Sequence, residues 1–354
     1  MAAVSDAYEY YVVDPTQALA ERQDIEQLLL ECCLDYEDGV EAFVVCRQEG
    51  KLVACAGIQQ NVIKEVAIAP ALRGSSLSLR LVSEVVYLAH SRNYNNLFVY
   101  TPPHNADFFL NCGFYSLVEV PDQATLLENT PIGIKSYCRE LAAKRVEGHK
   151  VGCVVANANP FTLGHLYLVK EAVKECDWLH LFIVREDASY FSYRDRYKLA
   201  KEITKDIPKL TLHEGSDYMV SRATFPSYFF KDKGCIGHCR TAVDLLLFRQ
   251  YIAPALGITH RFVGTEPFCE TTRRYNADMK FWLQNPDGIG PTVVVNEMDR
   301  TKFSGVEISA SEVRRALAQG DLKKIQKLVP PQSYDLIVSK YYKDKPEIND
   351  VQSQ

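Results

Sequence analysis

The chain has 354 residues, 47% of them hydrophobic and 24% charged, with a formal net charge of −5. That length favours two domains over one, and the apolar fraction supplies ample core, which excludes global disorder. A slightly acidic balance argues against a protein built to grip nucleic acid, and no apolar run approaches the ~18 residues of a membrane span.

The opening residues, MAAVSDAYEYYVVD, carry neither a basic nor an apolar leader segment. The expectation is a cytoplasmic protein. Its 11 cysteines are odd in number and scattered, which reads as reduced thiols acting as small core hydrophobes. Cys235-Ile-Gly-His238-Cys239 imitates half a metal site. No second pair stands at a matching distance, so no metal is assigned to protein ligands.

Residues 42–46, 52–58 and 62–68 are short apolar runs that predict three successive strands, with Glu49-Gly50-Lys51 as a hairpin turn. Leu77, Leu81, Val85 and Leu88 then recur at helical spacing. Residues 97–100 read as a strand and 105–110 as a short helix ending in Gly113-Phe114-Tyr115. This succession resembles the N-acetyltransferase fold of the GNAT type. From Pro121 the pattern weakens, and 135–146 reads as an amphipathic connecting helix. The expected organisation is a first domain over 1–130, a linker over 131–147, a second domain over 148–340 and a polar tail over 341–354.

In the second domain the period changes to strand–helix–strand. Strands are predicted at 151–156, 179–184, 210–213, 261–263 and 292–295, and helices at 164–176 and 193–204. Such alternation implies a parallel sheet with right-handed crossovers and ligands at the carboxyl ends of its strands. Directly after the first of these strands stands Asn157-Ala158-Asn159-Pro160-Phe161-Thr162-Leu163-Gly164-His165. Neither a P-loop nor a dinucleotide fingerprint fits there. A hydroxyl and an imidazole three residues apart flank a helix N-terminus, whose N–H groups and partial positive charge suit phosphate, and Gly164 lets backbone approach a ligand. Taken alone, a T-x-G-H reads rather as a helix start whose His is a capping or core residue, and it is the second motif that shifts the reading.

A second motif, Ile308-Ser309-Ala310-Ser311-Glu312-Val313-Arg314-Arg315, opens another helix with two hydroxyls and arginines. It is a second phosphate cradle or a capped helix with a solvated basic face. Together the two motifs resemble the (H/T)xGH nucleotidyltransferase superfamily. NANPFTLGH, DWLHLFIVREDAS, HEGSDYMVSRATFPSYFFKDKG, APALGITHRFVGTEPF and ISASEVRR, in that order, resemble the [citrate (pro-3S)-lyase] ligase family.

That resemblance implies an α/β chain: a GNAT-like domain followed by a Rossmann-like, doubly wound nucleotidyltransferase domain of the HUP type with a parallel sheet. It implies ATP and Mg²⁺, the latter bound mainly through the triphosphate. It further implies acetate as substrate and the acyl-carrier subunit of the citrate lyase complex, with its CoA-like prosthetic group, as partner. The thiol of that group would be acetylated through acetyl-adenylate, with release of AMP and pyrophosphate. Carried over onto matching positions, His165 and Thr162 are the catalytic candidates. Asn157, Asn159, Pro160, Phe161, Gly164, Gly264, Thr265, Glu266, Ser309, Ser311 and Arg314 are the ATP-binding candidates. Arg222, in the stretch most distinctive of the ligase family, is a candidate for the acetate carboxylate. Arg196 is open between reaching the site and a surface ion pair. Arg73, Gly74, Ser75, Ser76 and Ser78 stand where active N-acetyltransferases carry (Q/R)-x-x-G-x-(G/A). With Ser at both small positions, the first domain reads as a recognition module for the CoA-like arm before an independent acetyltransferase. The rivals are a small-molecule adenylyltransferase with an accessory domain, and an acetyltransferase whose second domain senses nucleotide.

Overall fold

The computed structural model describes residues 8–74, 76–185, 189–221, 236–265, 270–299 and 308–342. The chain divides into two compact units, Met1–Glu140 with Val220–Phe248, and Leu141–Met219 with Arg249–Gln354.

The first unit is built on β1 (Glu9–Val13), α1 (Leu19–Glu31), β2 (Ala42–Gln48), β3 (Lys51–Gln59), β4 (Val62–Ile68), α2 (Leu77–Ser91), β5 (Phe98–Thr101), α3 (Ala106–Asn111), β6 (Tyr115–Val120), β7 (Ala124–Glu128) and α4 (Gly133–Ala142). Its seven strands lie in the order β1-β2-β3-β4-β5-β7-β6. Glu49 and Gly50, both at positive φ, make the two-residue turn that closes β2 onto β3. Turns of that hand match the twist of the flanking strands. Leu77, Leu81, Val85 and Leu88 bury the inner face of α2 against one side of the sheet, and Ile25, Leu28 and Leu29 of α1 cover the other. β4 and β5 are parallel and antiparallel pairs flank them, the arrangement expected of a GNAT-like sheet.

The second unit holds β8 (Val151–Ala156), α5 (Leu163–Glu175), β9 (Trp178–Ile183), α6 (Tyr193–Thr204) and β10 (Leu210–Glu214). The next helix, α7 (Ile236–Leu247), belongs to the first unit and packs on β6 and β7. Nothing in the strand–helix alternation signals this return of residues 220–248. The second unit resumes with α8 (Ala253–Leu256), β11 (His260–Gly264), α9 (Glu270–Gln284), β12 (Val294–Met298), α10 (Ala310–Gln319), α11 (Leu322–Leu328) and α12 (Pro331–Leu336). Its sheet runs β10-β9-β8-β11-β12 and every pair is parallel. The strand order reverses between β8 and β11, and a crevice at the carboxyl ends of those strands is where a doubly wound sheet takes its ligand.

Buried Val154, Phe161, Val169, Leu181, Ile183 and Leu199 form the core between sheet and helices. The cysteines from Cys32 to Cys176 are free thiols. Burial pushes Cys153 up to about 12 and Cys176 up to about 11, so they are inert packing groups. No helix among the described residues is long and apolar enough to cross a membrane.

Candidate active site

After Ala156 the chain turns through residues 157–162 into α5, with Ala158 at φ 49° and a cis bond between Asn159 and Pro160. Phe161 is fully buried and anchors the turn, which stabilises it by roughly 1.5–3 kcal/mol. The Phe161 carbonyl accepts a hydrogen bond from Ser333 Oγ at 2.8 Å. Thr162 is the N-cap of α5 and shares a reciprocal cap with His165. The His165 N–H donates to Thr162 Oγ1 at 3.4 Å, and the Thr162 N–H donates to His165 Nδ1 at 3.0 Å. A ring nitrogen that accepts from a backbone N–H carries its lone pair there. The neutral imidazole therefore holds its proton on Nε2. The capping reading of His165 is what the structure shows, and it leaves the Nε2 proton as the ring's donor.

Ser309 caps α10, accepting from the Glu312 N–H at 3.1 Å. The two motifs meet. A Cβ on Gly164 would stand 3.0 Å from the Ile308 carbonyl oxygen, so the missing side chain lets the start of α5 press against the backbone just before α10. Close packing on Ile308 is thus one reason for the small residue at 164. Arg314 completes the junction, donating from Nη1 to the Asn159 carbonyl at 2.6 Å and from Nη2 to Ser311 Oγ at 3.0 Å. Burial pulls its guanidinium below the usual arginine range. Arg315 instead pairs with Glu312 on the surface.

At the end of β11, the Gly264 carbonyl accepts from Asn276 Nδ2 at 3.0 Å, and the Thr265 N–H donates to Met298 O at 2.8 Å. Asn276, buried on α9, had no sequence signal of its own. The side chains of Asn157 and Asn159 turn toward the segment leading into α6. Asn157 Oδ1 accepts from Ser189 Oγ at 3.2 Å, and Asn159 Oδ1 accepts from the Phe191 N–H at 3.0 Å. Arg196 is fully buried and bonds to backbone carbonyls, which removes the surface ion pair from the two options for it. Thr162, His165, Gly164, Asn157, Asn159, Pro160, Phe161, Ser309, Ser311 and Arg314 are thus brought together, with Gly264 and Thr265 on the neighbouring strand end. Glu266 and Arg222 lie outside the described residues.

In the first unit, α2 begins at Leu77 with Ser76 as an N-cap that makes no side-chain bond. Gly74 has φ +79° and nothing within 4 Å of where a Cβ would be. Arg73 Nε donates to Ile68 O at 3.4 Å, Ser78 lies in the first helical turn, and Ser75 lies outside the described residues. β4 and β5 pair only at Val62–Phe98 and Ile63–Val99, although both strands run on. They part beyond Ile63, where Glu65 takes φ 51°.

The family model for the citrate lyase ligase C-terminal domain matches residues 151–337. A [citrate [pro-3S]-lyase] ligase of Escherichia coli (strain K12) is 48% identical over 307 residues, 87% of each chain. The chain belongs to the citrate lyase ligase family. Another ligase of the same name, from Klebsiella pneumoniae, is 46% identical over 310 residues, 88% of this chain and 90% of that one. Among solved structures, Escherichia coli ElaA covers 35% of this chain and 100% of its own at 17% identity and TM-score 0.31. Thermotoga maritima TmcAL bound with alpha-thio ATP covers 53% of this chain and 55% of its own, at 13% identity and TM-score 0.33. The T-x-G-H turn and the I-S-A-S helix of this ligase-family chain both fall within the stretch that the family model matches.

Proposed function

We propose that this chain activates citrate lyase by ATP-dependent acetylation of the thiol on the CoA-like prosthetic group of its acyl-carrier subunit. The observation that carries the reading is the junction of the two motifs, Gly164 against Ile308 and Arg314 against Asn159, which brings two helix starts together. Helix N-termini and a guanidinium fork together suit a polyphosphate.

The first step joins an acetate oxygen to the α-phosphorus and breaks the bond from that phosphorus to the bridging oxygen, so pyrophosphate leaves with the bonding electron pair. A carboxylate is already ionised at neutral pH, since model carboxyl pKa values lie near ~4. No general base is required, and catalysis consists of alignment and charge stabilisation. His165 Nε2–H donates to an α-phosphate oxygen as charge builds there. Thr162 fixes the ring through its cap. Ser309, Ser311 and Arg314 hold the β- and γ-phosphates, and Gly264, Thr265 and Glu266 line the nucleoside side. Mg²⁺, held mainly by the triphosphate itself, would supply charge neutralisation when bound. Among the described residues no group of three His, Cys, Asp or Glu side chains gathers to cage a cation.

In the second step the arm's thiol sulfur attacks the acetyl carbon, AMP departs and the thiol proton passes to solvent. Arg222 faces the acetate carboxylate. The first unit serves as recognition module for the arm: β4 and β5 part beyond their short parallel pairing, next to the start of α2, and Arg73, Gly74, Ser75, Ser76 and Ser78 are the candidates to hold its phosphates. The setting is the cytoplasm.

The test is incubation with ATP, Mg²⁺, acetate and deacetylated citrate lyase, following pyrophosphate, AMP and thioester. Absence of acetate-dependent pyrophosphate sinks the proposal. AMP retained on a small product, rather than released, would favour an adenylyltransferase.

A further inference from the structure

Arg196 lies in the first turn of α6, a helix capped by Ser192. Its side chain does not reach solvent. Nη1 donates to the carbonyls of Asn157 at 2.7 Å and Val184 at 2.7 Å and to Asn157 Oδ1 at 2.9 Å, and Nε donates to Phe191 O at 3.1 Å. Asn157 is the first residue after β8, Val184 the first after β9, and Phe191 leads into α6. One planar cation therefore gathers carbonyls from two adjacent strand ends and the segment that follows the second.

A carbonyl oxygen just past the carboxyl end of a strand is the negative end of its peptide dipole, and it would oppose a polyphosphate bound beside it. The Arg196 fork turns Asn157 O and Val184 O onto a positive charge instead. It also pins the start of the turn whose other end is the Thr162–His165 cap. Asn159 ties that turn to Phe191 by a separate bond, so Arg196 and Asn159 clamp it from both ends.

We infer that Arg196 is a positioning residue for the adenylation step, acting through the β8–α5 turn rather than on substrate. This rests on the adenylation reading above. Lysine keeps the charge but lacks the planar fork that serves three carbonyls, so Arg196→Lys removes the geometry and keeps the sign.

The experiment is acetate-dependent ATP–pyrophosphate exchange by the full chain, comparing wild type, Arg196→Lys, His165→Ala and the double variant. A misplacement of 1 Å costs about 100-fold, and Arg196→Lys is expected to lose about that in kcat. The KM for ATP should rise several-fold while the KM for acetate stays put, which a mere loss of folded enzyme would not produce. In the His165→Ala background the same substitution should cost less than about 5-fold, because groups acting as a unit are not additive. Near-normal exchange in Arg196→Lys, unchanged KM values, or the full penalty in both backgrounds would each overturn the inference. If Arg196→Lys folds poorly, Arg196→Gln, a neutral planar donor, takes its place under the same criteria. Amide exchange over residues 157–165 must rise in the folded variant, and unchanged protection there also overturns it. A wild type without acetate-dependent exchange would instead refute the adenylation reading itself.

Discussion

Each of the two units offers a loop that leads into a helix, and the two helix starts are built differently. At α5 the cap is reciprocal, Phe161 is sunk in the core, Ser333, Arg314 and Arg196 hold the preceding backbone, and Gly164 is pressed on Ile308. At α2 the N-cap makes no side-chain bond and Gly74 stands at a left-handed φ in open space. A turn held on every side needs no reorganisation when charge develops, which is what transition-state stabilisation requires. An open turn suits the holding of a flexible arm whose reacting end lies elsewhere. The contrast agrees with the proposal that chemistry belongs to the second unit and recognition to the first.

The largest effect that tests this contrast is His165→Ala. Loss of one donor to a developing oxyanion costs about 10²–10³-fold in rate, and acetate-dependent pyrophosphate exchange should fall by that much. The fold should lose only the cap, on the order of 1 kcal/mol, visible as a small shift in urea midpoint. Exchange that survives near the wild-type rate would move the chemistry away from α5.

Next in size is pH, because each unit hides titratable groups of opposite sense. In the second unit His180 and His213 are fully buried neighbours on β9 and β10, with His180 Nδ1 2.9 Å from His213 Nε2. Their remaining nitrogens find no hydrogen-bond partner among the described residues. Burial pulls His180 down to about 4 and His213 to about 3, the neighbouring His180 adding to the second shift. Groups depressed in this way are neutral in the fold and protonate more readily when unfolded. Their stability is present above the unfolded value of 6.5 and lost as pH falls toward 4 and 3. Between pH 7 and pH 5 the loss is about 2 kcal/mol per ring.

In the first unit burial pushes the Glu65 carboxyl up to about 8; the Glu37 N–H and Lys64 oppose the shift and the Glu37 charge adds to it. Its Oε2 is buried without a partner among the described residues. Here the fold holds the proton more tightly than the unfolded chain, so stability falls as pH rises from the unfolded value of 4.5 through 8. Over the same interval, pH 5 to 7, it declines by about 2 kcal/mol. Amide exchange at pH 5 and pH 7 should therefore move in opposite directions in β9–β10 and in β3–β4. Glu65→Gln should flatten the second response alone, and parallel shifts in both sheets would contradict these environments.

How much of this is legible in the sequence depends on the range of the signal. The hairpin at Glu49-Gly50, the spacing of Leu77, Leu81 and Val85, and the T-x-G-H and I-S-A-S motifs are local patterns, and the structure has the turn and helices where those patterns put them. The strand expected at 292–295 lies instead at Val294–Met298, because Asn296 and Glu297 on an edge strand read as loop. α1, β6 and β7 carry no pattern that singles them out, and neither does the return of α7 to the first unit. Arg196, Asn276 and Ser333 matter through partners 39, 12 and 172 residues away, as the hydrogen bonds of each record. The contacts of Arg196 and Ser333 span more than any local window, and that of Asn276 joins a strand end to a helix, which no periodicity reports. Gly164 is the instructive case: its smallness is evident from sequence, but the reason for it, a carbonyl from residue 308, is not.

That reason gives the smallest and sharpest test of the contrast, the pair Gly164→Ala and Gly74→Ala. At 164 the added methyl meets Ile308 O at 3.0 Å, and backbone there can yield only by moving α5 from α10. Forcing extra carbon into a packed junction costs typically about 1–3 kcal/mol, and adenylation should fall with it. At 74 the methyl meets nothing, so the cost is the left-handed φ alone, about 1 kcal/mol. Pyrophosphate exchange, which needs no arm, should then be untouched by Gly74→Ala, while the KM for deacetylated citrate lyase in thioester formation rises. The reverse pattern, with Gly74→Ala impairing exchange and Gly164→Ala impairing only thioester formation, would exchange the roles assigned to the two helix starts.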